Sequence, residues 1–396
     1  MSTRRDLYIS TYAPALGSGR ALRTYTCIRA LAMLGPVDLA YVAFEGNTPS
    51  HEYRSIEGLT LHEIKPSRGV RRAGVYLSKR VQGIPATCCR GTSPEVIDLA
   101  TRLATMPDRG RVIVGDLNAA TALMPLARRR PVIYNAHNVE SEHVRSGEDQ
   151  RAWHRPAMRR YERRLLALAA ESWMVSRVDI DSAQALAPGA HLRYAPNAVD
   201  VTTITPPTRD DREGAGHELL MVGDFRYRPN QSGRDWLIRQ ILPLVLRELP
   251  DARLTLVGRG LEDWSAPMPQ VRVAGFVPSL DPLYAAADCV VVPLTEGAGT
   301  PLKFIEAMAY AMPIVATPLA ARGLEARPGV HYREGADAAS FAAAVVDVLR
   351  DGAAPLARAA RELAEREYSI EALAGCLAGD KGSLNPLDLD QEQARL

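Results

Sequence analysis

Short apolar runs rich in Val, Ile and Leu recur along this chain, each closed by glycine, proline or a charged residue. Longer stretches with helical spacing of apolar positions lie between them. DLYISTY (residues 6–12), VDLAYVA, RVIVGD, PVIYNAH and ESWMVS read as buried strands. HELLMVGDF, ARLTLVG, VRVAGF, CVVVPL and PIVATP form a second series of the same kind. Strands alternating with helices predict an α/β architecture. Residues 201–216, VTTITPPTRDDREGAG, break the pattern with Pro, Gly, Thr and charge and no periodicity, which predicts an interdomain linker. The first domain is therefore expected over 1–200 and the second from 217. Expected helices include one ended by Gly35, a basic one from about Trp153 to Ala170, and one from about Arg234 to Leu249. A further helix begins near Asp179 or Asp181.

The stretch from Thr295 to Pro318, TEGAGTPLKFIEAMAYAMPIVATP, reads as glycine loop, helix and strand. Gly297 and Gly299 permit a tight turn and close approach of backbone to a ligand. Thr300 is expected to cap the helix with Pro301 in its first position. Leu302, Ile305, Met308 and Met312 make an apolar stripe, while Lys303, Glu306 and Tyr310 share another face. One reading is an ordinary capped helix with Lys303 and Glu306 in solvent. The other is an anion site at the helix N-terminus, with Lys303 beside a phosphate and Glu306 accepting hydrogen bonds from a sugar diol. The flanking strands favour the second, because open α/β sheets bind ligands at the C-terminal ends of their strands.

Composition narrows the class. A chain of 396 residues with net charge +2 gives no electrostatic case for a nucleic-acid partner. The N-terminus, MSTRRDLYIS, lacks the apolar core of a signal peptide, and no apolar run is long enough to span a membrane, so a cytoplasmic protein is expected. Cys27, Cys88, Cys89, Cys289 and Cys376 form no C-x-x-C pair; reduced thiols are expected, and zinc is not. Residues 65–90 carry seven Lys or Arg and no acid. Besides a solvated surface, this bias fits an anionic acceptor or peripheral contact with an acidic membrane face. Asp179–Asp181 and Asp388–Asp390 spell D-x-D, but neither is read as a metal site. The turn Gly17-Ser18-Gly19-Arg20 is a partial dinucleotide fingerprint, with Arg20 and Arg23 as candidate anion contacts.

Gly297, Gly299, Thr300, Leu302, Lys303, Glu306, Ala307, Met308, Ala309, Pro313 and Thr317, followed by Gly323–Leu324, resemble the donor-site signature of family-4 glycosyltransferases of the GT-B fold. So do His137-Asn138-Val139-Glu140, the PNAVD around Asn197, Gly275-Phe276-Val277-Pro278, and the turn from Gly223 through Arg226 to Asn230. Two positions depart from the pattern: Ala298 stands where the family has a first acidic residue, with Glu296 nearby, and Pro301 stands where the branch often has Arg. The resemblance implies two Rossmann-like α/β domains facing a central cleft, an acceptor-binding N-terminal one over 1–200 and a nucleotide-sugar-binding one over 217–365. It also implies a C-terminal crossover helix over 366–379, and residues 380–396 read as a flexible tail. The implied activity is transfer of a sugar from a nucleoside-diphosphate sugar to an acceptor hydroxyl with retention of configuration, in glycan, glycolipid or glycosylated natural-product biosynthesis. The acceptor would be a sugar, a lipid-linked molecule or another small molecule. Lys303, Glu306 and His137 are the implied catalytic residues. Gly19, Arg20, Gly223, Arg226, Asn230, Gly297, Gly299 and Thr300 are the implied donor contacts, with Asn138 and Asn197 also in the cleft. No metal and no cofactor beyond the nucleotide-sugar co-substrate are expected, because cationic side chains and helix-end amides can stabilise the leaving diphosphate. The alternatives are a nucleotide-sugar 2-epimerase of the same fold and a catalytically silent nucleotide-sugar-binding protein.

Overall fold

The computed structural model describes residues 4–11, 14, 16, 19–43, 49–65, 70–89, 93–141, 154–207, 217–297 and 299–379, without the side chains of residues 70–72 and 154. The chain divides into two units, residues 1–197 with 373–396, and residues 198–372. Of the expected linker, residues 208–216 lie outside the described residues, as does the tail 380–396.

The N-terminal unit is built on a sheet of Arg5–Ser10 (β1), Val37–Val42 (β2), Leu59–Ile64 (β3), Arg109–Val114 (β4), Ile133–Asn135 (β5), Glu171–Met174 (β6) and Leu192–Tyr194 (β7). Its order is β3-β2-β1-β4-β5-β6-β7, and every adjacent pair is parallel. The C-terminal unit holds Glu218–Val222 (β8), Arg253–Val257 (β9), Val271–Gly275 (β10), Cys289–Val292 (β11), Ile314–Ala316 (β12) and Arg333–Glu334 (β13). Their order is β10-β9-β8-β11-β12-β13, again all parallel. Each sheet therefore reverses its direction of growth once, at β1/β4 and at β8/β11. These are the places where an open parallel sheet leaves a crevice beyond its strand ends.

Local sequence accounts for the elements. β2, β11 and β12 are buried at every position, the last two as continuous apolar runs between helical layers and β2 with the ion-paired Asp38 among its apolar residues. The helix Gly19–Leu34 ends before Gly35, and the helix His154–Leu168 lies within the expected basic stretch. Three helix starts differ from expectation. The helix Arg177–Leu186 is capped by Ser176, whose hydroxyl accepts from the Asp179 amide at 3.0 Å. The helical segment expected from Arg234 already begins at Arg228, because Pro229 sits in the first turn, where its missing N–H costs nothing. The helix Leu302–Ala309 begins one residue later than expected, with Pro301 rather than Thr300 as its N-cap. The residue before a proline is held out of the helical region, and Pro301 itself is extended, with ψ 113°.

The chain passes from one unit to the other just after Asn197. On the near side the Arg23 guanidinium, 2% exposed, donates to the Ala195, Pro196 and Asn197 oxygens at 3.0–3.3 Å. On the far side Arg361 donates to the carbonyls of Val201, Ile204 and Ala309. Arg23 is thus a buried structural group rather than an anion contact on an exposed loop.

Candidate functional site

In the C-terminal unit the site grows from the ends of β8 and β11. Gly223 follows β8, and its amide donates to the Val257 carbonyl. Gly258 crosses so close to it, at φ 136°, that a Cβ there would lie 1.8 Å from the Gly223 oxygen. Asn230, buried in the first turn of the helix Arg228–Trp236, donates from Nδ2 to the Asp224 carbonyl at 2.8 Å. Its Oδ1 accepts from Lys303 Nζ at 2.5 Å. The Gly223 backbone packs under this pair, since a Cβ would sit 3.1 Å from Asn230 Nδ2 and 3.2 Å from Lys303 Nζ. Gly297 lies on the facing loop with φ 127°, against the Pro229 ring.

Lys303 is partly buried, and its partner among the described residues is a neutral amide. Burial pushes its ammonium down to about 8. One turn further on, Glu306 accepts from the Tyr284 hydroxyl at 3.3 Å, and burial pushes its carboxyl up to about 7. A cation without a carboxylate partner among the described residues and a carboxylate with spare acceptor capacity therefore sit one helical turn apart at the switch point of the sheet. Thr300 is buried just before them. Arg226 is tied by two nitrogens to Asp224 in its own turn, at 2.8 and 2.5 Å. Glu296 accepts from Ser232 at 2.5 Å and lies 3.4 Å from Arg228. Ala298 lies outside the described residues.

In the N-terminal unit a second polar cluster forms beyond β1, β4 and β5. His137 follows β5, and both its ring nitrogens are buried without a hydrogen bond of ordinary geometry among the described residues. Burial, then the charges of Arg23 and Arg20, hold it well below the usual imidazole range, so it is neutral. Asp116, beyond β4 and 3% exposed, uses Oδ1 to accept from the Asn118 and Ala119 amides at 2.7 and 2.8 Å and from Thr11 Oγ1 at 3.3 Å. Its Oδ2 is buried and has no partner among the described residues, and burial raises the carboxyl to about 6. Arg20, in the first turn of the helix Gly19–Leu34, pairs with Glu140 at 2.9 Å, and Asn138 Nδ2 lies 3.5 Å from the same oxygen. Gly17 and Ser18 lie outside the described residues. The loop after His137 is held from beneath. Glu162, 2% exposed, accepts from the Glu140 and Ser141 amides at 2.6 and 2.8 Å, and Asp179 accepts from the Val139 amide at 3.4 Å. Asn197 faces Arg23.

Asp116, Glu162, Tyr284 and Asp281 escape sequence reasoning. Asp116 alone leaves a local signal, as the acid closing the strand run RVIVGD. Of the basic segment 65–90, residues 66–69 and 90 lie outside the described residues. Lys79 is buried and donates to the Thr121 carbonyl at 3.2 Å, Arg80 donates to Ile84, and Lys65 pairs with Glu63 at 3.6 Å. Tyr76, Leu77 and Val81 of the same segment are exposed. All five cysteines are buried free thiols, and burial raises Cys88 to about 12. Among the described residues no three His, Cys, Asp or Glu converge as a metal site, and no helix is long and apolar enough to cross a membrane.

Two parallel sheets with these switch points can be set beside known proteins. Sucrose-phosphate synthase from Thermosynechococcus elongatus superposes with a TM-score of 0.70, covering 95% of this chain and 98% of that one at 17% identity. Anabaena HepE, solved in complex with UDP, superposes with a TM-score of 0.66 over 95% of this chain and 99% of that one at 15% identity. The fold is GT-B. Residues 216–351, which hold the β8/β11 switch point, match the family model described as Glycosyl transferases group 1. An uncharacterized 44.6 kDa protein from the cps region of Klebsiella pneumoniae is 26% identical over 140 residues, 33% of this chain. That match spans 36% of the length of the Klebsiella protein.

Proposed function

We propose that this GT-B chain transfers a sugar from a nucleoside-diphosphate sugar to an acceptor hydroxyl, with retention of configuration. The observation that carries the proposal is Lys303, whose ammonium is held at the β8/β11 switch point by an amide oxygen and has no carboxylate partner among the described residues. A diphosphate supplies the missing counter-charge. As the sugar–oxygen bond breaks, negative charge grows on the leaving diphosphate, and a preplaced cation is most effective where charge develops. Lys303 and the amides at the start of the helix Leu302–Ala309 carry that charge, so transfer proceeds without a divalent ion and is insensitive to EDTA. Glu306 orients the donor through hydroxyl groups. The complexes of Anabaena HepE with UDP and with UDP-glucose support a nucleotide-sugar donor by likeness of fold.

The acceptor hydroxyl is assigned to the N-terminal cluster. The free Asp116 oxygen accepts its proton in a hydrogen bond, and neutral His137 can both donate and accept. The segment 65–90, basic and with Tyr76, Leu77 and Val81 exposed, is assigned to anionic acceptors or the lipid head groups that carry them. Incubating the protein with nucleotide sugars of each base and measuring release of nucleoside diphosphate, with and without a panel of sugar and lipid-linked acceptors, tests the reading. Acceptor-stimulated release that falls with Lys303→Ala supports it. Absence of release from every donor refutes it.

A further inference from the structure

The two carboxyl oxygens of Glu306 are treated differently. Oε2 accepts from Tyr284, whereas Oε1 takes no hydrogen bond among the described residues. Tyr284 is fully buried on the short helix Asp281–Ala286, and among the described residues its hydroxyl bonds to Glu306 alone, at 3.3 Å. Its ring stacks on Tyr310, centroid to centroid 3.9 Å and 12° from parallel. Tyr310, at the end of the helix that carries Glu306, donates to Asp281 Oδ1 at 2.5 Å. Asp281 Oδ2 in turn accepts from Ser279 at 2.7 Å. Two stacked tyrosines therefore lock the helix Asp281–Ala286 to the helix Leu302–Ala309, and one of them ends on the carboxylate.

We propose that Tyr284 is a positioning residue of the donor site: by holding Oε2 it fixes the Glu306 carboxylate so that Oε1 and the remaining lone pair of Oε2 accept a vicinal diol, that of the ribose of a nucleoside diphosphate. The proposal rests on the donor-site reading above. A carboxylate with one oxygen anchored loses less rotamer freedom on binding than a free one. A diol donating to both oxygens makes two charge-assisted bonds. The other ionisable groups around Glu306 are otherwise engaged. Lys303 is bonded to Asn230, Asp281 to Tyr310 and Ser279, and on the packed helix Ala354–Glu367 Arg361 is bonded to Glu365 and to backbone carbonyls.

The test compares UDP, GDP and ADP with their 2′,3′-dideoxy analogues in calorimetric titrations of wild type, Tyr284→Phe and Tyr310→Phe. Phenylalanine keeps the buried ring and removes only the hydroxyl. The expected result is that Tyr284→Phe weakens the bound ribonucleotide about three- to tenfold, the factor of one hydrogen bond, and leaves its dideoxy analogue unchanged. Tyr310→Phe, which cuts the Asp281 arm, gives a smaller loss of the same diol-dependent kind. Tyr284 donates to the charged form of Glu306, so its removal also shifts the pH midpoint of ribonucleotide binding upward. Equal loss for both nucleotides, or no loss, overturns the positioning role while leaving the donor site standing. If wild type binds none of the nucleotides, the donor-site reading fails and takes this proposal with it.

Discussion

Lys303 Nζ lies 2.5 Å from Asn230 Oδ1, and the same Asn230 side chain donates to the Asp224 carbonyl at 2.8 Å. A single amide thus ties the helix after β11 to the turn after β8, and no carboxylate among the described residues neutralises the lysine. Replacing Asn230 by Asp places a carboxylate against the ammonium. It should raise the Lys303 pKa and weaken nucleoside-diphosphate binding by at least about tenfold, the scale of one charge-assisted bond. Asn230→Ala should weaken it less. Titration calorimetry orders the variants, and an Asp variant that binds as wild type does contradicts this account.

The pH dependence of donor use follows from two shifted groups. Glu306, pushed up to about 7, must be ionised to accept hydroxyl protons, so its contribution appears as pH rises through that value. Lys303, pushed down to about 8, must be charged, so its contribution disappears as pH rises further. The ratio kcat/KM for donor should therefore be bell-shaped with its optimum between the two. In Glu306→Gln the acid limb should vanish while the alkaline limb remains. A persisting acid limb assigns that titration elsewhere.

Glu162 holds the loop after His137 by two backbone amides. Glu162→Ala leaves both donors without an acceptor, at a cost of about 1–3 kcal/mol. Hydrogen exchange at Glu140 and Ser141 should accelerate, with the C-terminal unit unaffected. Unchanged protection there would contradict the anchoring role.

Asp38 sits in β2 within 2.7 Å of Arg109, 3.0 Å of Arg5 and 3.1 Å of His62. Burial alone would raise its carboxyl, but the hydrogen bonds from His62, Arg5 and Arg109 outweigh this and hold it well below the usual range. A depressed carboxylate stabilises the fold above its unfolded pKa of about 3.9, and that stability is lost as pH falls below it. Asp38→Ala should cost about 3–5 kcal/mol near neutral pH, because it strands the buried Arg109 charge. The deficit should shrink in acid, and chemical denaturation at several pH values measures it.

The fold was legible wherever burial on both faces left an unbroken apolar run, as in CVVVPL and PIVATP. The edge strand β3 escaped because Thr60 and His62 interrupt its apolar positions, and β13 because it is two residues long. The loop, helix and strand around Lys303 were readable because glycine, proline and helical spacing are local signals. Asn230 was readable only through the family resemblance, and its pairing with Lys303 was not, since the two lie 73 positions apart and the β8/β11 crossover brings them together. Helical spacing put Tyr310 on the face of Lys303 and Glu306, but nothing local pointed to Tyr284. Only their stacking and the single hydroxyl reaching Glu306 distinguish them.

The central claim is that Lys303 and Glu306 together hold a nucleoside diphosphate. Calorimetric titration of UDP, GDP and ADP into wild type, Lys303→Ala and Glu306→Gln tests it directly. The account predicts that at least one nucleotide binds wild type with its affinity reduced at least about tenfold in each variant, as expected for loss of a charged partner. Wild-type affinity in both variants, or no binding of any nucleotide to the wild-type protein, would contradict it.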